Sequence, residues 1–268
     1  MRPVLFSLFG LPVYSYGLFL ALAVGLVVYL AQRKAPRAGF SSETIIDLAL
    51  VVAVGALLGA PLAFVLVEWD YYRTRPWEIV DFRAGGLSFF GAFGGGFLAA
   101  RLYAARKKLP FWSLVDFSVP YVALAYAIGR LGCLLNGCCY GVPSRVPWAL
   151  ACRAGDPTLR HPTQIYASLG GFFIFLLLYR LRNHRRFPGF LFFLYLGLYA
   201  LMRGVVETFR DSRILFGFVR LTHLACLAVA LLAGIEIWRR EKRWQRKEGE
   251  KTGGAEMDSR AGAGGPAA

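Results

Sequence analysis

The chain has 268 residues, of which 57% are hydrophobic, and this apolar content exceeds that of ordinary soluble domains. Its formal net charge of +15 would suggest nucleic-acid binding in a soluble protein, but the basic residues here cluster between long apolar runs. The composition therefore excludes an ordinary soluble enzyme and indicates a membrane protein, for which no nucleic-acid partner is expected.

Seven apolar segments come close to the ~20 residues with which a helix crosses ~30 Å of hydrocarbon. They cover residues 16–31, 45–67, 87–105, 111–135, 165–181, 189–209 and 216–238. The first is followed by LAQRKAP, which carries positive charge where a signal peptide has small residues, so we interpret it as a retained helix. The sequence thus predicts an all-α, polytopic membrane protein with seven transmembrane helices.

Charge distinguishes the two sets of connections between these segments. Lys and Arg are concentrated at 33–37, 106–108, 180–186 and 239–247, whereas 70–83 mixes arginines with carboxylates. The positive-inside rule makes the first set cytoplasmic, with the N-terminus outside and the C-terminus in the cytoplasm. We predict a transmembrane domain over 1–240 and a basic, then disordered, cytoplasmic tail over 241–268.

Polar residues gather at the predicted outer ends of the helices. The third segment opens with GGLSFFGAFGGG (85–96), the fourth has Arg130 near its outer end, and the sixth ends with MRGVVETFR. In the last motif Arg203, Glu207 and Arg210 are spaced i, i+4 and i+7, so they share one helix face. Ionisable groups in spans usually face a bundle interior or a wet cavity. The pattern predicts an anion site at the level of the outer headgroups.

Structural interpretations of the same residues remain open. Arg130 could extend its charge to the interface, and Arg203 with Glu207 could be an ion pair that only locks the bundle. Glycines such as Gly91 and Gly95 are often close helix contacts. His161, which precedes a proline at a helix start, could be a cap.

The five cysteines show no C-x-x-C spacing, so neither a redox pair nor a zinc ribbon is indicated, and no metal is expected. A disulfide involving Cys152 is one interpretation for an oxidising outer loop. Cys226 is predicted to be a small buried hydrophobe. Cys133, one turn after Arg130, is an alternative reactive thiol.

Four motifs in order resemble the bacterial prolipoprotein diacylglyceryl transferases, in a branch with a Cys-rich signature. They are GGLSFFG at 85–91, GRLGCLLNGCCYG at 129–141, HPTQIY at 161–166 and YALMRGVVETFR at 199–210. The resemblance implies transfer of the diacylglyceryl group of phosphatidylglycerol to the lipobox cysteine of a prolipoprotein signal peptide. The products are a thioether and glycerol phosphate. It also implies a multi-pass protein of the bacterial cytoplasmic (inner) membrane, with its active site facing the outer side. No metal or nucleotide cofactor is expected, because the sequence shows no clustered His and carboxylate ligands and no phosphate loop.

The resemblance also implies the residues of the site. Arg130 matches the residue that holds the phosphatidylglycerol headgroup, and Arg203 and Glu207 match the family's essential arginine and glutamate. Tyr16 and Asn136 match a tyrosine before glycine and an asparagine of the signature. The other substrate-binding candidates within the motifs are Gly85, Gly86, Ser88, His161, Gln164 and Arg210.

Departures from the family pattern leave the base unassigned. Phe90 stands where a well-studied branch has a histidine, and Cys133 and Cys138 replace an asparagine and a glutamate. The substrate thiol must nevertheless become thiolate. We favour the positive field of the arginines for this step, with Tyr16, Glu207 and His161 as alternatives.

Three rival functions remain at this point. The departures suit a lipid-binding relative without the activity, and Cys138, Cys139 and Cys152 suit a membrane thiol-redox protein. A transporter with an arginine-lined path is the third. It is disfavoured because the polar residues do not continue toward the cytoplasmic side.

Overall fold

The computed structural model describes residues 3–8, 11–75, 77–78, 88–153, 155–184, 186–210, 214–216 and 219–262. Most of this part is helical. The helices are α1 Ser15–Lys34, α2 Ser42–Val67, α3 Trp69–Tyr72, α4 Phe89–Arg106, α5 Phe111–Asn136, α6 Thr163–Leu181, α7 Phe190–Thr208 and α8 Leu221–Gly262. Short strands form three antiparallel hairpins, β1 Val4–Leu8 with β2 Leu11–Tyr14, β3 Leu150–Arg153 with β4 Asp156–Arg160, and β5 Ile214–Phe216 with β6 Val219–Arg220.

Six helices of the described chain are long and apolar enough to cross a membrane. They are Ser15–Ala38, Ser42–Val67, Phe111–Asn136, Thr163–Leu181, Phe190–Thr208 and Leu221–Lys247. The protein is therefore a helical, multi-pass membrane protein. The predicted third span does form a helix, α4, but its glycines and two arginines leave it below the hydropathy of the other six.

Serine side chains mark the beginnings of two helices. Ser41 accepts a hydrogen bond from the Thr44 amide at 3.0 Å before α2, and Ser88 accepts one from the Gly91 amide at 3.3 Å before α4. Each satisfies an amide that has no partner within its helix. Ser88, a predicted substrate-binding residue, thus has a structural role as an N-cap.

The chain divides into two compact units, residues 24–121 and residues 1–23 with 122–268. In the first of these, α2 and α4 pack through glycines. A Cβ on Gly59 would lie 2.9 Å from the Cα of Gly95, and one on Gly55 would lie 2.7 Å from the Gly95 carbonyl oxygen. Gly91 also meets the Gly59 backbone. Small residues at this spacing let two membrane helices approach closely, as the sequence predicted for Gly91 and Gly95.

The same unit has a buried core beside this helix pair. It includes Phe40, Ile45, Leu114 and Tyr121, and Tyr103 joins it while its hydroxyl donates to Asp47 Oδ2 at 3.1 Å. This hydrogen bond between Tyr103 of α4 and Asp47 of α2 joins the two helices at a second point, at the edge of the apolar core.

In the other unit, close contacts at small residues join α5, α6 and α7. A Cβ on Gly171 of α6 would lie 2.8 Å from Tyr126 of α5, and one on Gly170 would lie 2.6 Å from Met202 of α7. Ser168 also donates to the Ala127 carbonyl oxygen at 2.8 Å. These contacts hold three helices side by side at the level of the candidate site.

The last helix, α8, continues beyond the predicted domain boundary at residue 240 and is described as far as Gly262. No break in the backbone marks that boundary, so the division into 1–240 and 241–268 stays a prediction.

Candidate active site

A carboxylate between two arginines lies at the end of α7. Glu207 is only 2% exposed, forms an ion pair with Arg203 one turn earlier, and lies 3.8 Å from Arg210 just beyond the helix. The i, i+4, i+7 spacing predicted this shared face, and the structure confirms it. The buried carboxylate neutralises part of the charge and fixes the two guanidinium groups.

Arg220, which the sequence did not single out, supports the same helix end. Its Nη1 donates to the backbone carbonyl oxygens of Glu207 at 2.7 Å and Thr208 at 3.2 Å. A cation at a helix C-terminus satisfies carbonyls that have no partner in the helix. Little in the sequence indicated this role, because Arg220 lies within the seventh predicted apolar segment and outside all four motifs.

Arg130 of α5 stands over an aromatic ring. Its guanidinium carbon lies 4.8 Å from the centre of the Tyr126 ring, which packs edge-on against Tyr199 of α7 at 5.2 Å. Tyr126 also interacts electrostatically with Arg203. In the described part of the chain no carboxylate forms an ion pair with Arg130. The cation is half-buried on a ring face, not extended from an exposed helix end.

The signature motif leaves α5 through a tight turn. Gly137 and Cys139 both adopt left-handed backbone conformations, with φ of 70° and 63°. Buried polar side chains then hold the turn, since Gln164 Nε2 donates to the Cys138 carbonyl oxygen and Thr163 Oγ1 to that of Cys139, each at 2.7 Å. Arg210 Nη1 donates to the Cys139 carbonyl oxygen as well, at 3.3 Å. Gln164, a predicted substrate-binding residue, therefore positions the signature loop.

Backbone hydrogen bonds tie the end of the signature to two other elements. The Gly141 amide donates to the His161 carbonyl oxygen and the Val142 amide to that of Phe209, each at 2.9 Å, and the His161 amide donates to Val142 at 3.1 Å. A Cβ on Gly141 would lie 2.9 Å from atoms of both His161 and Thr163. Glycine is required there by close approach, and the ends of α5, α6 and α7 meet as a result.

His161 belongs to an aromatic group beside this junction. Its Nδ1 lies 3.1 Å from the Tyr166 hydroxyl, which also accepts a 2.6 Å hydrogen bond from Trp148 Nε1. The capping interpretation of His161 is wrong, because α6 begins at Thr163 with Pro162 as its N-cap and no side-chain cap.

Three cysteine thiols lie together next to Arg130. The Sγ atoms of Cys133, Cys138 and Cys139 are all within 4.8 Å of one another. The pKa of Cys139, in the loop after α5, falls to about 5, because the Cys133 thiol hydrogen-bonds to its sulfur and Cys138, Arg210 and Arg130 add to the effect. Sequence spacing did not indicate this group, since one member is on the helix and the others follow the Gly137 turn.

The remaining cysteines are separate from this group. Cys152 is a free thiol that is fully buried, and burial raises its pKa, so the structure does not support the disulfide interpretation. Cys226 is half-buried on α8, not buried as predicted. A redox group made of Cys138, Cys139 and Cys152 would need its three thiols in contact, and only the first two belong to the cluster.

The other predicted residues differ in placement. Tyr16, near the start of α1, interacts electrostatically with Arg130 and with the three clustered cysteines, and a Cβ on Gly132 of α5 would lie 3.5 Å from its Cα. Asn136 is the last residue of α5 and is half-buried.

Gly85 and Gly86 lie outside the described residues, and Ser88 belongs to the unit 24–121. The structure thus gathers Tyr16, Arg130, Gln164, Arg203, Glu207 and Arg210 within one unit.

These observations define a class of protein: a helical, multi-pass membrane protein with clustered arginines near the C-terminal ends of α5 and α7. The family model for prolipoprotein diacylglyceryl transferase matches residues 3–239. The chain belongs to this family.

Curated relatives agree with the family over most of their length. A phosphatidylglycerol–prolipoprotein diacylglyceryl transferase of Finegoldia magna is 35% identical over 252 residues, which is 94% of this chain and 100% of the relative. Proteins of the same name from Clostridium tetani and Clostridioides difficile are 36% and 30% identical, over 79% and 88% of this chain and 86% and 93% of theirs.

Proposed function

We propose that this protein transfers the diacylglyceryl group of phosphatidylglycerol to the lipobox cysteine thiol of a prolipoprotein. Its membership of the transferase family and the names of its relatives support both substrates. In the step, the thiolate sulfur bonds to the glycerol carbon that carries the phosphate ester. The carbon–oxygen bond breaks, its electron pair stays on the phosphate oxygen, and glycerol phosphate leaves.

The observation that carries this proposal is that Arg130, which forms no ion pair with a carboxylate of the described residues, shares Tyr126 as a neighbour with Arg203, whose position is fixed by Glu207. Arg130 is half-buried over Tyr126, which also interacts with Arg203, while Glu207 fixes Arg203. Arg130 and Arg203 would hold the phosphate oxygens from two sides. Guanidinium suits this role because it stays charged and matches phosphate with two parallel donors.

The remaining predicted residues extend the site. Tyr16, beside Arg130 and the thiols, would contact the reacting groups, and Asn136, His161, Gln164 and Arg210 would bind or position substrate around them. Gly85, Gly86 and Ser88 stay candidate substrate-binding residues because they belong to the GGLSFFG motif that resembles the family.

The orientation of the chain is a further part of the proposal. The Lys and Arg clusters at 33–37, 106–108, 180–186 and 239–247 support seven spans, with α4 as the third, an outer N-terminus and a cytoplasmic C-terminus. The active site would then face the outer side of the bacterial cytoplasmic membrane. The family match ends at residue 239, which supports a transferase domain over 1–240 and a tail over 241–268.

The experiment that tests the function is complementation of a depleted diacylglyceryl transferase by single variants. Arg130→Gln and Arg203→Gln should each lower the rate of thioether formation ~100-fold to ~1,000-fold, the loss typical when one preorganised donor to developing charge is removed. Arg145→Gln, in the exposed part of the long loop, is the matched control and should retain wild-type activity.

The readout is transfer from labelled phosphatidylglycerol to a lipobox peptide in membranes that contain equal amounts of each variant. Failure of the wild-type protein to lipidate the peptide would overturn the proposed function. Full activity of either arginine variant would remove that arginine from the site.

A further inference from the structure

The three-thiol cluster has the dimensions of a zinc site. The Sγ atoms of Cys133, Cys138 and Cys139 lie within 4.8 Å of one another. Zinc–sulfur bonds of ~2.3 Å at tetrahedral angles separate the sulfurs by about 3.8 Å, so binding one ion draws them together by at most about 1 Å. Thiolate sulfur is a ligand type that zinc prefers.

The backbone presents these thiols in a defined arrangement. Cys133 is on the last turns of α5, while Gly137 and Cys139, both left-handed, turn the chain back so that Cys138 and Cys139 face it. Thr163 and Gln164, each 1% exposed, and Arg210 fix the Cys138 and Cys139 carbonyls. These hydrogen bonds act around the ligands as the supporting contacts of a metal site do.

Exposure leaves one side of the cluster open. Cys133 is 8% exposed, whereas Cys138 and Cys139 are half-buried. Three protein ligands with an open fourth position are the arrangement of catalytic zinc, while structural zinc has four protein ligands.

Charge around the cluster suits an anionic metal complex. Three thiolates and one Zn²⁺ carry a net charge of −1, and a fourth thiolate would make it −2. Arg130 and Arg210 both interact electrostatically with Cys139, and Tyr16 interacts with all three cysteines. The two guanidinium charges would balance the complex in a region of low dielectric.

We propose that Cys133, Cys138 and Cys139 bind one Zn²⁺ whose fourth coordination position takes the cysteine thiol of the substrate. This inference rests on the proposed function, because the fourth ligand is the lipobox thiol. It gives the signature cysteines a role in activating the substrate thiol, which the phosphate-binding arginines Arg130 and Arg203 do not explain.

Coordination of the substrate thiol by zinc accounts for its deprotonation, the step for which no base was assigned. A thiol that binds zinc gives up its proton, which leaves to solvent. The bound sulfur then attacks the glycerol carbon, the carbon–oxygen bond breaks, and the electron pair leaves with the phosphate oxygen held by the arginines. The thioether product is neutral and binds zinc more weakly than a thiolate, so it dissociates. No oxidant or reductant takes part.

The first test measures metal content of the full-length protein purified without chelators. Wild type should contain about one zinc per chain, and Cys133→Ser, Cys138→Ser and Cys139→Ser should each lower zinc occupancy at least ~10-fold at limiting zinc, since even supporting residues cost 10-fold to 100-fold in affinity. Cys226→Ser, outside the cluster, is the matched control and should keep its zinc. Copper in place of zinc, or a disulfide within the cluster, would overturn the proposal.

The second test uses Co²⁺ as a spectroscopic probe in the full-length protein. Cobalt should give thiolate-to-metal charge-transfer absorption in wild type and Cys226→Ser. Adding a lipobox peptide should increase this absorption as a fourth sulfur binds, whereas a peptide with serine in place of the cysteine should not. Equal spectra with the two peptides would contradict the open position.

The two proposals fail in different ways. Diacylglyceryl transfer at the wild-type rate by zinc-free protein would overturn the zinc site and leave the transferase standing. Zinc bound by the cluster in a protein that never lipidates the peptide would overturn the transferase and retain the metal site.

Discussion

Glu207 shows how a single residue positions the site. A carboxylate that is 2% exposed and placed between Arg203 and Arg210 holds both guanidinium groups without touching the reacting atoms in our proposal. Glu207→Gln removes the charge at nearly constant shape. We expect it to destabilise the protein by about 3–5 kcal/mol, because one partner of a buried pair is removed, and to lower transfer activity with it.

A double-mutant cycle separates this positioning role from a catalytic one. If Glu207 acts through Arg203, the loss of activity in Arg203→Gln with Glu207→Gln should be close to that of Arg203→Gln alone, and the free energy of unfolding should show coupling of about 0.5–3 kcal/mol. Thermal or denaturant unfolding in detergent and the peptide assay give the two readouts. Additive losses in both would contradict the idea.

His161 is predicted not to be the base. In the tautomer with a proton on Nε2, its Nδ1 accepts from the Tyr166 hydroxyl, which Trp148 holds in place. His161→Gln should therefore lower the rate less than ~10-fold, against the ~100-fold to ~10,000-fold expected for loss of a general base.

The pH profile provides an independent check on His161. A histidine base must be neutral to accept a proton, so a rate that depends on one falls when acid protonates the ring. We expect the pH profiles of wild type and His161→Gln to coincide between about pH 5.5 and 8, the range in which histidine side chains commonly change charge in proteins. A wild-type inflection that disappears in the variant would assign the base to His161.

Some residues of the site were predictable and others were not. The charged residues of α7 share a face because of helical spacing, and the structure shows them in contact as expected. Tyr126, Tyr199 and Arg220 escaped prediction because each acts through a partner on another helix, and an aromatic or basic residue near a span end is common. The thiol cluster escaped because it depends on the left-handed turn at Gly137.

At the scale of helices, the contact between α2 and α4 gives a matched pair of substitutions. A Cβ on Gly95 would meet the Gly59 and Gly55 backbones, whereas one on Gly94, the preceding residue of the same helix, has nothing within 4 Å. Gly95→Ala should cost about 1–3 kcal/mol through overpacking. Gly94→Ala should be neutral or stabilise by up to ~1 kcal/mol, because alanine favours the helix.

Thermal unfolding in detergent compares the two variants under identical conditions. Gly95→Ala should unfold at a lower temperature than both wild type and Gly94→Ala. Equal midpoints for the two variants would mean that α2 and α4 do not depend on this close approach.

Helix positions were largely predictable because ~20-residue apolar runs have few alternatives in a membrane protein. Each of the seven predicted segments coincides over most of its length with a helix of the described chain, and six of these helices satisfy the length and hydropathy of a span. In α4, the glycines that allow close packing against α2 also lower the mean hydropathy, so α4 is less easily identified as a membrane span than the other six helices. The short hairpins were missed, since two to five residues give too little periodicity.

At the scale of the whole molecule, the orientation predicts which loops are accessible from each side. Epitopes inserted after Thr74 and after Lys108 should lie on opposite faces of the membrane, because α4 would cross between them. An epitope at the C-terminus should share the cytoplasmic side with the Lys108 insertion. Antibody binding to intact spheroplasts and to inverted vesicles measures both.

The control for this experiment is activity, since an insertion that inactivates the transferase reports on a damaged fold. If active proteins expose the Thr74 and Lys108 insertions on the same face, α4 does not span and the seven-helix topology is wrong.

The backbone bonds among Gly141, Val142, His161 and Phe209 provide a way to time the opening of the site. The amide protons of Gly141, Val142 and His161 can exchange with solvent only when these hydrogen bonds open, and because Gly141 and Val142 are adjacent in the chain we expect the bonds to open together. Hydrogen exchange at Gly141, Val142 and His161 should therefore follow one common rate, while amides within the neighbouring helices follow their own. Slowing of that common rate by phosphatidylglycerol would measure how strongly the lipid holds the site together.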